Sequence, residues 1–167
     1  MLILYIKKRY NMKKNKKKIT KKPKIITLPR LRNKLFKLWS DAVRSSAKFK
    51  CEYCGIKNKA ININGVSTKL DAHHLVSRKV KDMPLKFDIN NGICVCPICH
   101  KWGMPSFHRD PITTITWLMK NQPDKYRFVL EHKDVRNNLN NRTVLEYIHS
   151  CLVNKELLDY DVLKQMV

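Results

Sequence analysis

The alternation of apolar and polar positions divides the chain into three stretches of different texture. Over residues 31–47, LRNKLFKLWSDAVRSSA, apolar side chains recur at Leu31, Leu35, Leu38, Trp39, Ala42 and Val43, which is the spacing of one amphipathic helix with Lys34, Lys37 and Arg44 on its wet side. Between Cys51 and Ile98 the pattern turns short and irregular, punctuated by Gly55, Gly65, Pro84, Gly92 and Pro97. Turns and short strands suit that stretch better than long helices, and KLDAHHLV and ICVCPI are its strand candidates. After Phe107 the helical spacing returns. Asp110-Pro111 reads as an N-cap followed by proline at the first helical position, leading ITTITWLMK, and Pro123 opens a second short helix through about Leu130. Two more helices are expected over residues 143–153 and 156–166. The elements sum to an α+β expectation, a small core between a leading helix and a helical tail.

Charge changes this picture at the N-terminal end. The formal charge is +22, and residues 1–50 hold 18 Lys/Arg against the single acid Asp41, so that part contributes +17 and residues 51–167 the remaining +5. A field of that sign concentrates polyanions, nucleic acid foremost. The run KKRYNMKKNKKKITKKPK over residues 7–24 cannot bury enough apolar surface to fold alone and reads as a disordered arm, with Lys13, Lys14, Lys16, Lys17 and Lys18 as phosphate contacts. It shows no apolar stripe to enter a membrane surface, and no apolar run approaches the ~20 residues that span a bilayer. The opening MLILYI is too short, and lies on the wrong side of the charges, for a secretory signal. An intracellular, reducing setting is therefore expected, in which six cysteines hold metal rather than form disulfides. The Lys-, Asn- and Ile-heavy composition fits an AT-rich genome such as that of a phage or other virus.

Cys51-x2-Cys54 and Cys96-x2-Cys99 are two knuckles separated by 41 residues. Four thiolates paired in this way form a tetrahedral structural zinc site, which can supply ~10–16 kcal/mol of apparent binding energy to a weakly cored segment. Gly55 permits the tight turn after the first knuckle. Cys94 lies on the same side of its strand as Cys96 and could compete with it, but the x2 spacing favours Cys96; Cys151 reads as a buried small hydrophobe.

Four cysteines satisfy one zinc ion, so His73, His74, His100 and His108, all within 36 residues and with Asn91 among them, are left for another task. Neighbours on a strand point to opposite faces, so the adjacent pair His73-His74 implies two different jobs. The order C-x2-C, DAHHL, DINNG, C-x2-C-H and a further His resembles the HNH nucleases of the ββα-metal fold, over residues 51 to about 111. The upstream helix and the block DAHHLVSRKVKDMPLKFDINNG resemble, more loosely, the NinG recombination proteins of phages.

The HNH resemblance implies a strand bearing the first histidines, a second strand, and a helix starting at the second knuckle. It implies His74 as the catalytic general base, His73 as a metal ligand, Asn91 as the brace of the loop that orients the base, and His100 as the ligand on the helix. His108 follows as the third ligand, returned by a loop because Gly103 and Pro105 interrupt the helix, with Asp71 as the substitute carboxylate or as an anchor of the strand end. The chemistry stands beside the resemblance: a neutral imidazole with a pKa near ~6.5 can take a proton from water, and a divalent cation opposite stabilises the charge on the phosphoryl and departing oxygens. A twisted or bulged strand end would let both histidines reach one phosphate. Arg78 could clamp the scissile phosphate, with Lys79, Lys81, Lys101 and Arg109 extending the positive floor. Trp102 is either a core anchor or a stacking platform.

The expected organisation is a basic arm over residues 1–30, a nuclease domain with its leading helix over residues 31–111, and a helical extension over residues 112–167. The expected function is a metal-dependent endonuclease that cuts DNA, leaving a 5′ phosphate and a 3′ hydroxyl. It would use one structural Zn2+ and one catalytic Mg2+, Mn2+, Ni2+ or Zn2+. The alternatives are a branched-DNA recombination nuclease of the NinG type and a non-catalytic zinc module that binds nucleic acid.

Overall fold

The computed structural model describes residues 25–58 and 68–166. The five arm lysines, Lys13, Lys14, Lys16, Lys17 and Lys18, lie outside the described residues. Helix α1 (Leu28–Ser46) buries Leu31, Leu35, Trp39 and Val43, one residue per turn along a single stripe. It starts ahead of the expected Leu31 because Pro29 fits the first turn, where its missing N–H forfeits no helical bond. Strand β1 (Asp71–His74) pairs antiparallel with β2 (Gly92–Val95), in the register Asp71 to Val95, Ala72 to Cys94, His73 to Ile93 and His74 to Gly92. Strand β1 falls inside KLDAHHLV, while β2 overlaps ICVCPI over its first three residues and begins one residue ahead of it, at Gly92.

Between the strands, two short 3-10 turns, Pro84–Phe87 and Ile89–Asn91, carry Leu85 and Phe87 into the core. After β2, the helix expected at the second knuckle is only a single wide turn, Ile98–Trp102. The Gly103 amide donates to the Ile98 carbonyl at 2.8 Å to close that turn, and a Cβ on Gly103 would lie 3.0 Å from the same carbonyl oxygen. Only glycine allows so close an approach, so the sequence stops the helix where it needs the chain to double back.

The tail forms α2 (Pro111–Asn121), α3 (Pro123–His132), α4 (Arg142–Asn154) and α5 (Tyr160–Gln165). Asp110 caps α2 as expected, its carboxylate accepting from the Thr113 amide at 3.0 Å. The last helix begins at Tyr160 rather than at Glu156. Lys155 leaves α4 in a left-handed conformation, φ 62°, and the Asp159 side chain accepts from the Asp161 and Val162 amides to start α5.

Helix α1 is the axis of the molecule, packed on both strands and on α4. Its stripe meets Ile93 and Val95 of the sheet, and Val144, Leu145 and Ile148 of α4 share the same core. Gly92 makes the sheet side of this packing possible, since a Cβ there would collide with Val43 and press on Trp39. No helix among the described residues is long and apolar enough to cross a membrane.

Candidate metal centres and active site

The two cysteine knuckles converge. The sulfur atoms of Cys51, Cys54, Cys96 and Cys99 lie within 4.8 Å of one another, and Cys54 Sγ is 3.8 Å from Cys96 Sγ. Four ligands at a Zn–S length of about 2.3 Å would stand about 3.8 Å apart, so the donor set and its spacing fit a tetrahedral ion. The amides of Cys54 and Cys99 point back at Cys51 Sγ and Cys96 Sγ, each at 3.5 Å, and support negative charge on those sulfurs. Cys94 stays out of the group: it pairs with Ala72 in the ladder, and burial together with the Glu52 carboxylate pushes its thiol up to about 12. Cys151 is buried in α4.

A second group lies on one side of the sheet. His73 from β1, His100 from the wide turn and His108 from the loop beyond it offer ring nitrogens within 4.8 Å of one another. The loop return that His108 requires is built from backbone hydrogen bonds, Phe107 N–H to the Cys99 carbonyl at 2.9 Å and His108 N–H to the His100 carbonyl at 3.2 Å. Asp71 stands behind the group. Its carboxylate accepts from His100 Nδ1 at 2.9 Å, which leaves the lone pair on Nε2, and that Nε2 is 3.1 Å from His108 Nε2. Two nitrogens at that separation can share a cation at the usual Zn–N length of about 2.0–2.1 Å. Burial, then the charges of His100 and His108, hold the His73 ring down to about 3. Burial likewise lowers His100 against the opposing pull of Asp71, so both rings favour the neutral form a metal needs.

His74 faces away from that trio. Its ring stacks on Trp39 at 3.7 Å between centroids, and its Nε2 lies 2.9 Å from the Lys86 carbonyl. A carbonyl only accepts, so Nε2 carries the proton and Nδ1 the lone pair. Burial holds the ring at about 4 despite the Lys86 carbonyl, so it is neutral near pH 7. The strand ends at His74 without a bulge in the ladder and the chain bends at once, so His73 and His74 line one cleft from different faces. Asn91 fixes that bend. Fully buried, it accepts from the Val76 amide at 2.7 Å and donates to the Val76 carbonyl at 3.2 Å, while its own carbonyl receives the Leu75 amide.

Residues 51–102 match the family model described as HNH endonuclease. The chain carries an HNH domain. Comparison with curated proteins and with solved structures found no match.

The histidine cleft has a volume of about 790 Å³ and is walled by His73, His74, His100 and His108. Arg78, Lys79 and Lys101 line it as the sequence suggests, joined by Lys37 of α1; none of its lining residues is acidic. The Arg78 guanidinium sits 5.7 Å above the Phe36 ring. Trp102 is 70% exposed and therefore no core anchor. Arg109 turns to the Trp102 carbonyl at 3.0 Å, and neither Lys81 nor Arg109 is among the residues that line the cleft. Sequence reasoning missed Trp39 as the platform of His74, because its place in an apolar stripe is equally that of a core residue. The Lys86 carbonyl left no side-chain signal at all.

Proposed function

We propose that the protein is a metal-dependent endonuclease that hydrolyses DNA phosphodiester bonds, with His74 as general base. The observation that carries this reading is the contact of His74 Nε2 with the Lys86 carbonyl at 2.9 Å, which assigns the lone pair of the neutral ring to Nδ1, in the same cleft as three convergent imidazoles. His73, His100 and His108 would hold a divalent cation, and Cys51, Cys54, Cys96 and Cys99 a structural zinc. The cation would neutralise charge on the phosphoryl oxygens and on the departing 3′ oxygen.

In the proposed reaction, Nδ1 of His74 takes the proton as a water oxygen bonds to phosphorus and the bond to the 3′ oxygen breaks. The 3′ oxygen is then protonated from solvent, giving a 5′ phosphate and a 3′ hydroxyl. As His74 becomes cationic, its Nε2–H to the Lys86 carbonyl turns into a charge-assisted hydrogen bond, and stacking on Trp39 keeps the ring plane fixed. Asn91 contributes by position, holding the bend after the base. Arg78, Lys79 and Lys101 bind and orient the phosphate backbone, contacts that position without reading sequence.

The test is plasmid cutting by zinc-loaded protein in Mg2+, Mn2+, Ni2+ and Zn2+, with His74→Ala beside the wild type. The variant should lose cutting and keep both its zinc and its DNA binding. Equal cutting by the variant would remove His74 from the role. Absence of wild-type cutting in all four metals would favour a zinc module that only binds nucleic acid.

A further inference from the structure

A second cavity, of about 430 Å³, shares the Phe36 wall with the histidine cleft. Arg32, Lys81 and Lys86 line it against the single carboxylate of Asp82, with Leu139 and Asn140 closing the side contributed by the C-terminal segment. Arg32 is fastened in place: Nε and Nη2 donate to the Leu139 carbonyl at 3.2 and 2.8 Å, and Nη2 also reaches Asn140 Oδ1. Its Nη1 and the ammonium groups of Lys81 and Lys86 make no hydrogen bond among the described residues. The cavity thus presents one fixed guanidinium nitrogen, Arg32 Nη1, beside two ammonium point charges, donors that suit a phosphate oxyanion. Burial lowers the Lys86 ammonium from its usual range, the Asp82 carboxylate opposes that shift, and the charge of Arg32 adds a smaller lowering.

We propose that this cavity binds a phosphate group of the nucleic-acid strand whose scissile bond lies in the histidine cleft, an inference that rests on the nuclease reading. Three observations commit it to that occupant. The charge is complementary, the wall is common to both cavities, and Arg78 stands over that wall on the cleft side. The cavity is also tied to the reacting centre, because the backbone carbonyl of Lys86 holds the His74 ring while its side chain faces the second phosphate. The segment that carries Leu139 and Asn140 thereby acquires a part in substrate binding.

The experiment measures binding of labelled duplex DNA to the metal-free-cleft, zinc-loaded full chain by fluorescence anisotropy over a range of salt. Loss of one phosphate contact should flatten the slope of log affinity against log salt by about 1. The Lys81→Ala/Lys86→Ala double variant should show that change with an unaltered urea midpoint, and Lys86→Gln, which keeps most of the aliphatic stem, should move the same way. Lys164→Ala removes an equal charge from α5, where the lysine pairs with Asp161 at 2.9 Å, and should leave the slope unchanged. An unchanged slope in the double variant, or an equal loss in Lys164→Ala, would overturn the proposal. So would stabilisation of the wild type by inorganic phosphate, lost in the double variant while the DNA slope stays constant, since that assigns the cavity to a free anion. Binding is read apart from cutting, so a chain that cuts nothing yet shows the slope change would refute the nuclease reading and not the cavity's ligand.

Discussion

The Asp71 carboxylate accepts a hydrogen bond from His100 Nδ1 at 2.9 Å, reaching from the start of β1 to the turn that follows β2. The bond decides which nitrogen of His100 is free, and it orients the ring toward His73 and His108. Carboxylate partners of this kind raise the basicity of a ligating imidazole, and their loss typically weakens metal binding ~10–100-fold. Asp71→Ala should lower the affinity of the histidine group for Mn2+ or Ni2+ by that order while the cysteine site keeps its zinc. Isothermal titration of zinc-loaded protein measures it; an unchanged affinity would mean that His100 is held by its own backbone alone.

Rate and stability should respond differently to acid. His74 is held near 4 and His73 near 3, both chiefly by burial, so the fold favours the neutral rings. With the base still unprotonated, the cutting rate should stay level as pH falls from about 8 to about 6, below the point at which a free imidazole with pKa ~6.5 begins to fill. Stability moves the other way. Below about 6.5 the unfolded chain binds protons that the folded chain refuses, so the metal-free protein should lose stability as pH falls from about 6.5 toward about 4. A rate profile with a midpoint near 6.5 would refute the depressed base, and a urea midpoint constant across that window would refute the linkage.

Asn91 satisfies both backbone groups of Val76, so Asn91→Ala should release the bend after His74 as well as open a small cavity. Loss of two buried hydrogen bonds suggests a cost of about 1–3 kcal/mol, read from urea unfolding. The cutting rate should fall by more than global stability alone explains, because the base loses its backstop. A stable variant with full activity would make Asn91 a mere core residue.

Much of this site was legible because its chemistry is carried by residue types at short spacings. The knuckles, the adjacent histidines and His100 directly after Cys99 are read from side chains alone, and both strands lie where the alternation places them. The missing parts depend on chain trajectory. That Lys86 offers its carbonyl to His74 and that Arg32 clasps Leu139 across more than half the chain are decided by backbone positions that no local pattern encodes. The late start of α5 had a local cue in Asp159, obscured by the apolar pair Leu157-Leu158 ahead of it.

The cysteines Cys94 and Cys99 should separate cleanly in metal content. Cys94 is tied into the ladder beside Ala72 and stands outside the sulfur group, whereas Cys99 belongs to it. Cys94→Ala should keep its zinc and lose only the packing of one small side chain. Cys99→Ala should bind zinc weakly and unfold early, because the metal's binding energy is part of the folding energy of such a segment. Zinc content by atomic emission and thermal unfolding decide between them; zinc loss in Cys94→Ala alone would reassign the ligand.

Two tryptophans provide the sharpest contrast between holding the site and standing outside it. Trp39 is 2% exposed, donates its indole N–H to the Asp88 carbonyl at 2.8 Å, and supports the His74 ring by stacking. Trp102 is 70% exposed at the end of the wide turn. Trp39→Ala should cost about 3–5 kcal/mol, the range for large aromatic truncations in a core. Trp39→Phe, which retains an aromatic face but leaves the Asp88 carbonyl without its donor, should fold and cut more slowly. Trp102→Ala should change stability by less than about 0.5 kcal/mol, as exposed substitutions do. Urea unfolding of the three variants beside their cutting rates tests the assignment, and a large loss of stability in Trp102→Ala would place that indole in the core after all.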